Sequence, residues 1–140
     1  MEVVTAGGWN AGKAIFYNDL GEVQAYGNEY WGQARFKYKG WFAQTYYIKN
    51  DGGDDSNPNY LNRTGLIVPL ERSHYEAQIQ YNFNVPTLSN SEWTVGLDYR
   101  DAKADSENHV YGRNEDNDDY TLYGAYAQAK FKLEPKLDLF

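Results

Sequence analysis

One domain, or a section of one, is what 140 residues allow. The net charge of −7 excludes the basic surface that phosphate recognition needs, so nucleic acid is not expected as a partner. The absence of cysteine excludes a disulfide framework and thiolate metal sites, and no apolar run approaches the ~20 residues of a membrane helix.

In chain order, the opening is weakly patterned. Met1-Glu2-Val3-Val4-Thr5 lacks the basic start and apolar core of a signal peptide. Val3, Val4 and Gly7-Gly8 before Trp9 predict a short strand over 2–9. Asn10-Ala11-Gly12 and Asn18-Asp19-Leu20-Gly21 carry turn residues, so 10–28 reads as mostly loop. From Tyr30 the pattern alternates. Tyr30, Ala34, Phe36 and Tyr38 share one face; Trp31, Gln33, Arg35, Lys37 and Lys39 share the other. Lys39-Gly40 is a tight turn, where glycine can supply a positive φ. Trp41 to Asn50 is the return strand. Trp41, Ala43 and Tyr47 compete with Phe42, Tyr46 and Ile48 for its outward face; the first set is favoured, which turns Gln44 inward.

Asp51 to Arg72 is a long polar connection. Gly65 to Leu70 is its only apolar stretch, and Pro69 would break a central strand there. The clearest pattern follows. Tyr75, Ala77, Ile79, Tyr81, Phe83 and Val85 alternate with His74, Glu76, Gln78, Gln80, Asn82 and Asn84. After Pro86 to Glu92, a hairpin connection, Trp93, Val95, Leu97 and Tyr99 alternate with Thr94, Gly96, Asp98 and Arg100. Asp105 to Asp119 is a second long connection. In Tyr120 to Leu133, the residues Tyr123, Ala125, Ala127, Ala129, Phe131 and Leu133 oppose Gly124, Tyr126, Gln128, Lys130 and Lys132. Glu134-Pro135-Lys136 is a short turn, and Leu137 to Phe140 begins another strand.

Aromatics are 17% of the chain, yet mean hydropathy is −0.80, because apolar residues are dispersed in alternation. That suits a sheet with one face in lipid and one in water, with Tyr and Trp at the membrane borders. A soluble antiparallel sheet with one wet face alternates in the same way. The connections favour the membrane. They run short, long, short, long, short, and strands of roughly 10–14 residues suffice to cross a bilayer at a tilt. Residues 51–72 carry −2 and 105–119 carry −5, so the acidity belongs to the two long connections.

Gly96-Leu97-Asp98-Tyr99 closes a strand before a long loop, and Gly112-Arg113-Asn114-Glu115-Asp116-Asn117-Asp118-Asp119 ends that loop. Gly124-Ala125-Tyr126-Ala127-Gln128 and Lys136-Leu137-Asp138 follow; Gln33-Ala34-Arg35 and Phe42-Ala43-Gln44-Thr45-Tyr46 precede. In order and spacing, over about residues 30–140, these segments resemble the middle barrel of bacterial TonB-dependent outer-membrane receptors. The resemblance implies an all-β, antiparallel up-and-down meander forming part of a transmembrane β-barrel, about six or seven of roughly 22 strands. It implies a place in the bacterial outer membrane and uptake of a scarce nutrient such as a siderophore, cobalamin or a glycan. Its partners would be outer-membrane lipid, a plug domain and the TonB energy-coupling system, with no cofactor. Leader, plug and TonB-engaging box are not visible in the chain, so 1–140 is expected to be one partial barrel domain of something larger. A soluble β protein binding a carbohydrate through its aromatics, or a small complete outer-membrane barrel, are the other readings.

No enzyme constellation is present. His74 and His109 are isolated, and there is no His-Glu-x-x-His, Gly-x-Ser-x-Gly or phosphate loop. Asp51, Asp54 and Asp55, or Glu115, Asp116, Asp118 and Asp119, have oxygens that suit calcium but not the spacing of a calcium loop, so solvated acidic loops are expected and no metal site. By the resemblance, the long connections capture substrate through Asp51, Asp54, Asp55, Arg63, Tyr111, Arg113, Glu115, Asp116, Asp118 and Asp119. Gln78, Gln80, Asn82, Asp98, Arg100, Gln128 and Lys130 would face the barrel lumen. Tyr75, Trp93, Tyr99 and Tyr123 would join an outer aromatic girdle.

Overall fold

The computed structural model describes residues 1–19, 21–53, 59–61, 65–67, 69–88, 91–109, 112–134 and 137–139. Among them the chain is all-β and antiparallel. Its strands are β1 (Glu2–Asn18), β2 (Gly21–Tyr38), β3 (Trp41–Asp51), β4 (Tyr60–Leu61), β5 (Leu66–Ile67), β6 (Glu71–Val85), β7 (Ser91–Asp105), β8 (Tyr120–Glu134) and β9 (Leu137–Leu139). The long strands β1, β2, β3, β6, β7 and β8 neighbour one another in that order, an up-and-down meander. β4 and β5 form a small hairpin from the first long connection, and β4 pairs with β2 at Val23 and Gln24, beyond the end of β3. β9 pairs with the last residues of β8. The sheet is not closed into a barrel.

The expected strand at 2–9 followed by a loop at 10–28 is corrected. β1 and β2 form one hairpin, paired without interruption from Glu2 opposite Lys37 to Asn18 opposite Gly21. The glycines that looked like breakers lie opposite each other in the ladder, Gly7 with Gly32 and Gly12 with Gly27. Continuous pairing outweighs the weak strand propensity of single residues. The chain reverses at 18–21, where Gly21 has φ +114°. The other long strands except β3 have 15 or 18 residues, longer than expected. At the second turn the positive φ falls on Lys39, at 51°, and not on Gly40. Gly40 is needed for a different reason: a Cβ there would collide with the Asn82 carbonyl oxygen. Pro69 lies between β5 and β6, outside any strand. Beside it Gly52 and Leu70 exchange backbone hydrogen bonds of 2.7 and 3.2 Å that extend the β3–β6 ladder.

With the Lys39–Gly40 turn taken as the lower side, the strands are staggered. A line of directly opposed residues passes through Ala6, Gln33, Tyr46, Glu76, Arg100 and Leu122. Ala6 is four residues above Glu2, the lower end of β1; Leu122 is twelve above Glu134, the lower end of β8. A climb of eight residues over five strand steps, at ~3.3 Å per residue and ~4.8 Å per step, is a tilt of roughly 45–50°. Barrel closure demands a similar tilt, about 35–45°.

The sheet is a single layer. Val23 is the one buried hydrophobic residue among those described, at 8% exposure. Soluble domains bury one face against a second layer; these strands leave theirs open.

Candidate functional site

The register sorts side chains onto two faces, because directly opposed residues point the same way. One face is banded. Its upper row is Trp9, Tyr30, Tyr47, Tyr75, Tyr99 and Tyr123, one ring from each long strand. Trp9 opposes Tyr30, Tyr47 opposes Tyr75, and Tyr99 opposes Tyr123. Ring centroids are 6.2 Å apart for Tyr30–Tyr47, 5.9 Å for Tyr75–Tyr99 and 5.2 Å for Tyr99–Tyr123. The lower row runs Trp41–Tyr81 at 4.5 Å, Tyr81–Phe83 at 5.7 Å, Phe83–Trp93 at 6.4 Å and Trp93–Phe131 at 6.1 Å. Between the rows are aliphatic and small side chains, among them Ala43, Ala77, Ile79, Val95, Leu97 and Ala127. Above the upper row the face turns charged, and Lys49 Nζ lies 2.5 Å from Glu71.

The rows are six residues apart on β3, β6 and β7 and eight on β8, which is ~20–27 Å along a strand. The tilt lowers this to roughly 14–19 Å of height, a thin belt beside the ~25 Å usual in outer-membrane barrels. The banded face is open to solvent: Leu97 is 58% exposed and Tyr123 80%. The favoured outward set on β3 (Trp41, Ala43 and Tyr47) lies on it, and Gln44 lies opposite.

The other face is polar and internally bonded. Gln44 Nε2 donates to Gln78 Oε1 (3.1 Å), Gln78 Nε2 to the Tyr126 hydroxyl (3.0 Å), and that hydroxyl to Gln80 Oε1 (2.9 Å). Gln80 Nε2 and Thr94 Oγ1 both donate to Asn82 Oδ1, at 3.0 and 2.7 Å. Nearer the upper rim, Glu76 Oε1 lies 2.9 Å from His74 Nε2 and 3.5 Å from Arg100 Nε. Tyr126 lies across Gly96, its cross-strand partner, so closely that a Cβ on Gly96 would overlap the ring. Gln78, Gln80, Asn82, Asp98, Arg100, Gln128 and Lys130 all share this face by register.

The candidate capture residues do not converge. Asp54, Asp55, Arg63 and Tyr111 lie outside the described residues. Asp51 ends β3 on the banded side, opposite Glu71. Arg113, Glu115 and Asp116 fall in a 3-10 turn at Gly112–Asn117. Glu115 is turned into its own loop. It accepts hydrogen bonds from the Ser106 backbone N–H, the Ser106 hydroxyl (2.6 Å) and the Asn108 N–H (3.2 Å). Loss of water pushes the Glu115 carboxyl up, but these hydrogen bonds outweigh it and hold the group below its ordinary value. Asp119 accepts from the Ala104 N–H (3.1 Å) and pins the loop to the top of β7. Asp118 points to the polar side, with neither carboxylate oxygen hydrogen-bonded among the described residues. No group of three or more potential metal ligands occurs among the described residues.

Asn59 escaped sequence reasoning. It is buried, accepts from the Tyr26 N–H at 2.6 Å and donates to the Gly52 carbonyl, clipping the first long connection to β2. Its partner lies 33 residues away, so no local pattern marks it. The inward residues of β1 were hidden because 10–28 read as loop, although Trp9, Ala11, Lys13, Ile15 and Tyr17 do alternate with Asn10, Gly12, Ala14 and Phe16.

No protein-family model, no curated protein and no solved structure matches the chain.

Proposed function

We propose that this chain is a section of the transmembrane wall of an outer-membrane β-barrel of the TonB-dependent receptor type. The intact barrel takes up a scarce nutrient and works with a plug domain and the TonB system. The observation that carries the reading is the open apolar belt between two aromatic rows, on a sheet with almost nothing buried. Burying one large apolar side chain contributes about 1.5–3 kcal/mol, and in water this sheet forgoes that term along its whole banded face. Lipid supplies it. The stagger, the polar opposite face and the long acidic connections above the belt support the same reading. The order of motifs from Gly96 to Asp138 narrows it to the TonB-dependent type.

The four tryptophans provide the test. Trp9, Trp41 and Trp93 are on the banded face; Trp31 is on the polar face. Within the intact barrel, in vesicles of brominated phosphatidylcholine, each of the four is kept in turn as the sole tryptophan and every other is changed to Phe, because an open section alone would leave its edge strands unpaired in lipid. Bromine is expected to quench Trp9, Trp41 and Trp93 and to spare Trp31. Equal quenching of all four, or of none, overturns the membrane reading.

A further inference from the structure

One row of the polar face carries little polarity. Trp31, Ile48, His74, Ala102 and Tyr120 are directly opposed along it, from β2 across β3, β6 and β7 to β8. The next row up holds Asn50, Arg72 and Ala104. Ala102 and Ala104 rise no higher than a methyl group, and larger side chains stand on both sides of them. The result is a cleft of about 270 Å³ whose surface is mainly carbon. Ile48, His74 and Arg72 border it on one side, Tyr120 and Asp118 on the other. Ser73 and Lys103 also border it, but their side chains alternate onto the banded face. The His74 imidazole is held in place through its Nε2, 2.9 Å from Glu76 Oε1.

We infer that this cleft seats one flat, uncharged aromatic ring of a ligand. The inference rests on the receptor reading for its role in uptake, and it picks from the nutrient classes of that reading the ligands that carry such a ring. Three of the bordering groups are themselves flat π systems: the His74 imidazole, the Tyr120 phenol and the Arg72 guanidinium. Rings pair with rings, and a guanidinium stacks on an aromatic face. His74 and Tyr120 flank Ala102 at two strand steps, ~10 Å apart at the backbone. A flat ring in contact with a neighbour on each face needs about 7–8 Å between them, so one ring fits and a thicker body does not. The carbon floor disfavours a hydroxyl-rich body, which would lose its hydrogen bonds to water there. Arg72 and Asp118 have opposite charges, so the side chains that border the cleft on this face give no net pull on an ion.

The test uses the intact barrel in phosphatidylcholine vesicles with para-fluorophenol as the probe, read by fluorine NMR line broadening. A saturable component is expected on top of the linear partition into lipid. Phenol is expected to displace it. Cyclohexanol, similar in size but not flat, is expected to displace it about tenfold less well or worse. Ala102→Leu, which fills the floor, is expected to abolish the saturable component. Tyr120→Leu, which keeps an apolar wall and removes the ring, is expected to weaken it about tenfold. No saturable component up to about 10 mM, equal displacement by cyclohexanol, or binding unchanged in either variant overturns the inference. The brominated vesicles keep the two readings apart and show that each variant has folded: normal quenching of Trp9, Trp41 and Trp93 with no saturable probe removes the aromatic ligand and leaves the barrel.

Discussion

Gly96 and Tyr126 show how single residues set the polar face. The ring covers the glycine, and its hydroxyl joins Gln78 to Gln80. Tyr126→Phe keeps the ring and removes both bonds, with an expected cost of about 0.5–1.5 kcal/mol. Gly96→Val forces the ring off its seat, with an expected cost of about 1–3 kcal/mol from overpacking. Urea midpoints of the intact barrel folded in vesicles rank the two, and Gly96→Val should be the worse. Glu115 sets the second long connection in the same local way. Its carboxyl is held below the ordinary 4.5 in the folded chain. Its contribution is therefore full above 4.5 and is lost as pH falls from there through the lower folded value. Amide exchange at Ser106 and Asn108 should accelerate across that acidic window, and Glu115→Gln should remove most of the pH dependence. Neither device was readable from sequence. Gly96 read only as a member of the strand alternation and of the Gly96-Leu97-Asp98-Tyr99 segment, and an acidic run looked like a solvated loop.

At the scale of the element, strands β6, β7 and β8 were legible and the β1–β2 hairpin was not. In β6 every second residue from Tyr75 to Val85 is apolar, and nothing local competes with that period. In 10–28 glycine, asparagine and aspartate interrupt the period, and only the partner strand reveals it. The two faces of β6 and β7 differ in what they tolerate. Leu97→Lys places a charge in the middle of the apolar belt, where about 2–4 kcal/mol is the expected loss. Asn84→Lys, on the opposite face one strand away and exposed, should change stability by less than about 0.5 kcal/mol. Folding yields of the intact barrel in lipid vesicles check the pair. Equal effects would mean that the banded face does not meet lipid.

For the whole molecule, the fold class and the up-and-down order followed from alternation and turn spacing, since both are local in sequence. The stagger did not, because it is set by pairing between residues up to 40 positions apart in the chain and appears only in the register. It leads to a prediction about the solvent. A belt of roughly 14–19 Å is thin, so the intact barrel that contains it should fold more completely in vesicles of short-chain than of long-chain phosphatidylcholine. β circular dichroism in lipids of 12 and 18 carbons measures this, and a preference for the thicker bilayer would contradict the tilt.

The tilt also sets a perimeter. A strand inclined at roughly 45–50° occupies about 7 Å of circumference instead of ~4.8 Å, so the six long strands trace an arc of roughly 40 Å. A ring of about 22 such strands would measure roughly 150 Å around, and the arc is a little over a quarter of it. A solute passing along the polar face of these strands would therefore touch one sector of a wide channel. Its remaining grip, and the pull that moves it inward, must come from surfaces across the opening.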